Sequence, residues 1–361
     1  MFLQKINLLN FKSYETIDLI FSEKINCFVG ENGVGKTNLL DAIYYLSFCK
    51  SYFNSADSQN IKIGTEFFLI QGQYFKSGDQ LNISCSMKRN QKKNVKKNNK
   101  EYNKLSEHIG LLPIVMVSPN DSSLILEGSE ERRKYIDSVI SQYDNVFLEK
   151  LIKYNKALLQ RNTLLKDFAA KHRVNKDLLE IWNEHLIEAG NYIFTKRKEF
   201  ISLLKPVFHK YYDYVSMKKE HVEFKYTSQL EENKFSQLLQ DSFQKDIALQ
   251  YTSNGVHKDD LEFLIGTSPL KRSASQGQQK TFLVALKFAQ FDFIKNRNNL
   301  KPIILLDDIF DKLDKSRVSQ IVSLLAQNHF GQIFITDTSS DHLSTILRDI
   351  AIEHKIFTIG Q

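Results

Sequence analysis

The chain has little of what a stapled, secreted or membrane-embedded protein needs. Only three cysteines, Cys27, Cys49 and Cys85, occur in 361 residues. An odd count with no metal-like spacing argues against a disulfide framework and a thiolate metal centre. A chain of this length can bury a sizeable core without either. No apolar run approaches the roughly 18 residues that span a bilayer; the longest, Leu111 to Val117 and Ile303 to Leu306, are strand-sized. The opening Met1-Phe2-Leu3-Gln4-Lys5-Ile6 lacks the basic, apolar and small-residue succession of an export signal. A soluble cytoplasmic protein with no membrane contact is expected. Arginine is scarce, 10 of 49 basic residues, so lysine clusters carry less weight than their number suggests.

What is present is ordinary globular material. Hydrophobic residues make up 42 % and charged residues 25 %, which excludes a disordered or collagen-like chain. Length alone suggests about two domains. The net charge of +7 permits a polyanionic partner without requiring one.

The chain changes character twice. Residues 1 to about 125 alternate short apolar runs with turn signals: Ile17 to Phe21, Lys24 to Val29, Phe67 to Ile70 and Leu81 to Cys85 read as strands, the last two in a small antiparallel sheet. Lys36 to Phe48 reads as a helix, with Leu39, Leu40, Ile43, Tyr44 and Leu46 near one face. Between 129 and 245 only Gly190 and Pro206 interrupt leucine- and lysine-rich sequence. A helical lobe with one or two long helices of some 25 residues, about 37 Å each, is predicted there. From about 250 the α/β pattern returns, with strands at Ile303–Leu306 and Gln332–Thr336 and a helix from Lys315 to Asn328. The expected fold is α/β: a P-loop ATPase head over 1–128 and 246–361 with a small antiparallel sheet, interrupted by a helical lobe over 129–245.

Three motifs carry chemistry. Gly30-Glu31-Asn32-Gly33-Val34-Gly35-Lys36-Thr37 fits the phosphate loop G-x-x-x-x-G-K-[ST], between a strand and a helix as the mechanism needs. Its glycines turn backbone N–H groups inward, and the helix N-terminus adds favourable partial charge. Lys36 is expected on the β- and γ-phosphates of ATP and Thr37 on Mg²⁺. The second motif, Ile303 to Asp308, is four apolar residues followed by two acids. Ligands sit at the carboxyl ends of parallel strands, so Asp307 is expected to hold Mg²⁺ and Asp308 to polarise the attacking water. Alone, such an ending is commonly a solvated turn; beside a phosphate loop it reads as chemistry. The third is Ser275-Gln276-Gly277-Gln278, which opens an apolar helix. A serine there ordinarily just caps, yet Ser275, Gly277 and the helix end suit a γ-phosphate. Since the chain has its own phosphate loop, Ser275 is expected to act on the nucleotide of a second copy.

In order and spacing, these motifs and Asp311-Lys312-Leu313-Asp314 resemble the ABC-type ATPases. Within that group the chain resembles the RecF family of bacterial recombination mediators over nearly its full length. Leu9 to Tyr14, Thr37 to Tyr44, Ser118 to Asp121, Glu127-Gly128, Arg132 to Asp137 and Ser273 to Thr281 carry the likeness. Gly255-Val256-His257-Lys258-Asp259-Asp260 departs from the family's Gly-Pro-His-Arg-Asp-Asp, and the switch-loop position near Thr336-Asp337 holds no histidine. The resemblance implies a weak ATPase acting as a switch. It implies an ATP-dependent head-to-tail homodimer on gapped or single-strand/duplex junction DNA. It also implies RecR as partner, RecA and RecO indirectly, and a role in repair and replication restart. A phosphoryl-transfer enzyme acting on a small molecule is the alternative the phosphate loop permits.

The basic run Lys88, Arg89, Lys92, Lys93, Lys96, Lys97, Lys100 and Lys104 suits phosphate contact without sequence readout, or is a solvated loop. Arg132, Arg133 and Lys134 suit the fold or an interface, Lys12 the nucleotide or the fold. His257 reads as a core or interface residue ahead of a reagent, and Tyr14, Asn32 and Arg272 as structural neighbours of the motifs.

Overall fold

Alternation along Phe67–Lys76, and a near-alternation along Phe2–Phe11 that a register shift between Leu3 and Lys5 interrupts, give an antiparallel sheet with one buried face. Leu3, Ile6, Leu8 and Phe11 of strand Phe2–Phe11, and Phe68, Ile70 and Tyr74 of Phe67–Lys76, point inward. The computed structural model describes residues 1–171, 175–327, 329–338 and 353–360. These fall into two units: 1–122, 210–219 and 275–361 form one, and 123–209 with 220–274 the other.

The first unit holds two sheets. The antiparallel one has six strands, ordered Tyr14–Ile20, Phe2–Phe11, Phe67–Lys76, Asp79–Lys88, Asn94–Lys97, Lys100–Glu101. The other has five parallel strands, ordered His354–Thr358, Ile25–Val29, Ile333–Asp337, Ile303–Leu306, Ile114–Val117. Its four inner-sequence strands are buried along their whole length, as near-continuous apolar runs require in a sheet covered on both faces. Helix Lys36–Phe48 packs against both sheets and buries eleven of its thirteen residues. An all-round apolar helix has no solvent face to offer. The order places strand Ile333–Asp337 between the phosphate-loop strand and the acidic strand, so the C-terminal ends of all three converge. Helix Lys315–Ala326 ends short of the expected Asn328, which lies outside the described residues.

The second unit is not purely helical. Helices Ser129–Ser141 and Asn145–Lys171 and the part of Lys176–Ser216 through His209 accompany a three-stranded antiparallel sheet of Val222–Thr227, Asp260–Ile265 and Ser268–Pro269. This corrects the expected boundary. Strand Asp260–Ile265, read as the head resuming at 246, pairs with Val222–Thr227 inside the second unit, and the head resumes at Ser275. The long helices run 27 and 41 residues, one as expected and one well beyond it.

Candidate functional site: the carboxyl ends of the parallel strands

The phosphate loop has the backbone its glycines permit. Gly30, Gly33 and Gly35 all have positive φ. A Cβ at Gly30 would stand 2.4 Å from the carbonyl oxygen of Ile359, and one at Gly35 2.8 Å from Ser13 Oγ. The hairpin Leu9 to Tyr14 buttresses the loop: the Tyr14 hydroxyl donates to the Gly35 carbonyl at 3.0 Å, and Asn38 Nδ2 donates to Ser13 Oγ at 2.9 Å. Burial pushes the Tyr14 phenol up to about 12. Glu31, Asn32 and Gly33 form the exposed tip. The Lys36 ammonium folds over its own loop, donating to the carbonyls of Gly30 at 2.6 Å and Glu31 at 2.8 Å.

The strand order brings Thr37, Asp307, Asp308 and Thr336 together. Thr37 Oγ1 donates to the buried Asp307 carboxylate, 3.0 and 3.1 Å from its two oxygens. Thr336 Oγ1 donates to Asp307 Oδ1 at 2.8 Å and accepts from the Asp308 N–H at 3.0 Å. Burial raises both carboxyls above the usual range, with the two threonine hydroxyls opposing it at Asp307 and the Lys36 charge opposing it at Asp308. Thr336 was missed as a site residue because its strand reads as an ordinary buried one; only the sheet order shows where its hydroxyl lands.

The Thr37–Asp307 pair fits magnesium. Mg–O bonds of about 2.1 Å put adjacent octahedral ligands about 3 Å apart, which is the separation of these oxygens. No group of three His, Cys, Asp or Glu suited to a metal occurs among the described residues.

Ser275 caps helix Gln276–Asn298 in a full capping box: its Oγ accepts from the Gln278 N–H at 3.2 Å, and its own N–H donates to Gln278 Oε1 at 2.8 Å. Ser275 and Gln276 are exposed and Gly277 is half-buried. Beyond them the helix is buried on every side from Thr281 to Phe291. A rigid helix thus presents an open N-terminus.

Other sequence candidates have structural duties. Lys12 pairs at 2.6 Å with Asp41, which is fully buried on the phosphate-loop helix. In the basic run, Lys93 pairs with Asp57 at 2.6 Å and Arg89 donates to the Thr65 carbonyl at 3.1 Å, whereas Lys88, Lys92, Lys97, Lys100 and Lys104 are exposed. In the second unit the Arg132 and Gly255 blocks meet. Arg132 binds Asp260 through Nε at 2.7 Å and Nη2 at 3.1 Å, and Arg133 donates to the Asp259 carbonyl at 2.6 Å. Arg197 grips Asp137 at 2.9 Å through two nitrogens and reaches Asp259, also at 2.9 Å. Gly255, at φ +130°, lies where a Cβ would be 2.7 Å from Tyr154 Oη. His257 donates from Nε2 to the Thr252 carbonyl at 2.9 Å and accepts at Nδ1 from Tyr154 at 2.7 Å. Burial lowers it to about 4, and both ring nitrogens are taken up by neighbours of its own unit. Lys134 pairs with Glu130 and Glu131 on its own helix. Arg272 is exposed.

Comparison with known proteins places these features in context. The family model described as RecF/RecN/SMC N terminal domain matches residues 2–355. The chain is 51 % identical over 360 residues to a protein of Bacteroides fragilis named DNA replication and repair protein RecF, covering 99 % of this chain and 96 % of that one. The protein of the same name from Flavobacterium johnsoniae is 50 % identical over 359 residues, covering 99 % of this chain and all of the relative. A solved structure described as the recombination mediator protein RecF-ATPrS in the RecFOR pathway superposes with a TM-score of 0.87 at 31 % identity, over 99 % of this chain and 96 % of that one. An Smc head domain from Pyrococcus furiosus shares the fold, with a TM-score of 0.57 at 18 % identity, over 99 % of this chain and 94 % of that one.

Proposed function

The chain belongs to the RecF family, within the RecF/RecN/SMC group, and from that membership we propose that it is an ATP-gated DNA-binding switch of recombinational repair and replication restart. In this reading ATP lies in the loop Gly30–Thr37, with Lys36 swinging from its two carbonyls to the phosphates. Thr37 and Asp307 hold Mg²⁺, which neutralises developing charge when bound. Asp308 orients and polarises the attacking water, and Thr336 fixes both acids. Ser275, Gly277 and Gln278 close on the γ-phosphate held by a second copy, making the ATP-bound state a head-to-tail homodimer. Hydrolysis releases it, so the ATPase is a slow timer. The dimer binds gapped or junction DNA and helps load recombinase. RecR is the direct partner, with RecA and RecO involved indirectly; the solved relative is described as belonging to the RecFOR pathway. The exposed Lys88, Lys92, Lys97, Lys100 and Lys104 supply phosphate contacts.

The observation that carries this reading is the junction of Thr37, Asp307, Thr336 and Asp308 at one end of the parallel sheet, on the same unit as an exposed, rigidly capped Ser275. A small-molecule kinase would use the first and leave the second unexplained. No helix among the described residues is long and apolar enough to cross a membrane. The test is the anisotropy of a labelled gapped duplex at fixed salt, with ATP·Mg²⁺, with ADP·Mg²⁺ and without nucleotide. Tighter binding only with ATP is expected, lost in Lys36→Met. Equal binding in all three states would separate DNA affinity from the nucleotide and defeat the switch.

A further inference from the structure

The helix that opens at Ser275 is fastened to the turn that carries Asp308. Lys280, five residues into it, donates from Nζ to the carbonyl oxygens of Asp308 at 2.8 Å and Asp311 at 2.7 Å. Asp308 and Lys312 both have positive φ, 45° and 60°, in a stretch with no glycine. A lysine adopts that conformation at a steric cost, an aspartate more readily. A second tie lies beside the first. Arg317 Nη1 donates to the Gly277 carbonyl at 3.1 Å and to Thr281 Oγ1 at 2.6 Å, while its backbone N–H donates to Asp314 at 2.9 Å. The helix start and the loop 308–314 are therefore cross-linked at both ends.

We propose that Lys280 is a positioning residue for ATP hydrolysis, clamping the Asp308 turn to the helix whose start serves the nucleotide of a second copy. The proposal rests on the nucleotide reading above and adds to it a link between two sites. Ser275 acts outward on the partner's γ-phosphate; Lys280 acts inward on this chain's own acid. Seating the helix start on a neighbour's nucleotide then fixes Asp308 for the chain's own water. The contacts are of the right kind for this role. Lys280 takes backbone carbonyls and leaves the Asp308 carboxylate to work on water, whereas an ion pair would quench it. Half-burial lowers the Lys280 ammonium, with the Asp311 and Asp308 charges opposing the shift; it sits among fixed groups rather than in bulk water.

The experiment measures kcat and KM for ATP in the full-length wild type, Lys280→Met and Lys280→Arg, with the mass of the ATP·Mg²⁺ complex of each. Lys280→Met is expected to lower kcat by about 10- to 100-fold, the cost of misplacing a reacting group by a fraction of an ångström to an ångström. KM and dimer mass should stay near wild type. Lys280→Arg, able to donate to both carbonyls, should recover most of kcat. A kcat for Lys280→Met within about twofold of wild type overturns the proposal and leaves the nucleotide reading standing. So does joint loss of kcat, ATP affinity and dimer with no recovery in Lys280→Arg, the pattern of a merely structural residue. A wild type that neither hydrolyses ATP nor dimerises on it removes the nucleotide reading, and this proposal with it.

Discussion

In the second unit Arg197 meets Asp137 and Asp259, and Arg132 meets Asp260, guanidinium against carboxylate. At the strand ends of the first unit Asp307 meets two threonine hydroxyls and Lys36 meets two carbonyls. Both places bury charge, and they satisfy it in opposite ways. A bidentate Arg–carboxylate pair is closed: each partner consumes the other's capacity. A carboxylate held by hydroxyls keeps its full charge and suits a cation, and a lysine held by carbonyls keeps its charge for an anion. The closed network braces the second unit, joining the Arg132 to Asp137 block to Asp259 and Asp260. The open one is where ligand chemistry belongs.

The largest way to break this contrast is Arg197→Met. It strands Asp137 and Asp259 without their partner, and removing one member of a buried pair costs about 3–5 kcal/mol. Urea unfolding should show that loss, while ATP affinity of the folded protein stays at the wild-type value. A loss below about 1 kcal/mol would mean that the network does not hold the fold. The matching change in the open cluster has the reverse signature. Asp308→Asn keeps the shape and removes a charge that burial disfavours. Stability should hold or rise, while hydrolysis falls by about 100- to 10,000-fold, the range for losing a group that handles the attacking proton. ATP should stay bound and dimers should accumulate. Monomer mass at saturating ATP would defeat the trans role of Ser275.

The contrast also explains what the sequence could and could not disclose. Gly30 to Thr37 was legible because its eight residues act as one local unit. Asp307 and Asp308 were legible because four apolar residues announce the strand that ends at them. Thr336 is invisible locally: it meets Asp307 only because a later strand inserts between two earlier ones. The Arg132–Asp260 pair joins positions 128 apart, and nothing local shows that the two blocks holding them brace one another. The misplaced boundary at 246 has the same origin. Strand Asp260–Ile265 carries the right alternation but no mark of its partner, and pairing with Val222–Thr227 decides its unit. Lys280 lay inside the Ser273 to Thr281 stretch, but its grip on the Asp308 turn shows only once the loop beneath it is seen.

The smallest expected effect sharpens the contrast through pH. His257 is held neutral in the closed unit, lowered by burial to about 4, against an ordinary value near 6.5. The unfolded chain takes up a proton below about pH 6.5 and the folded chain does not until about 4. Its contribution to stability is therefore complete above 6.5 and is lost as pH falls towards 4, at up to about 1.4 kcal/mol per pH unit for one proton. Asp307 and Asp308 in the open cluster, and Asp259 beside Arg197, are raised instead. Each binds its proton more readily folded than unfolded, so each favours the folded state as pH falls and opposes the His257 slope. Total stability against pH mixes the two, and the difference between wild type and His257→Gln isolates one. The glutamine amide can donate to Thr252 and accept from Tyr154 without titrating. Urea midpoints at pH 7, 6 and 5 should diverge, with the variant losing less stability on acidification. Parallel curves would mean that the imidazole does not stay neutral in the fold.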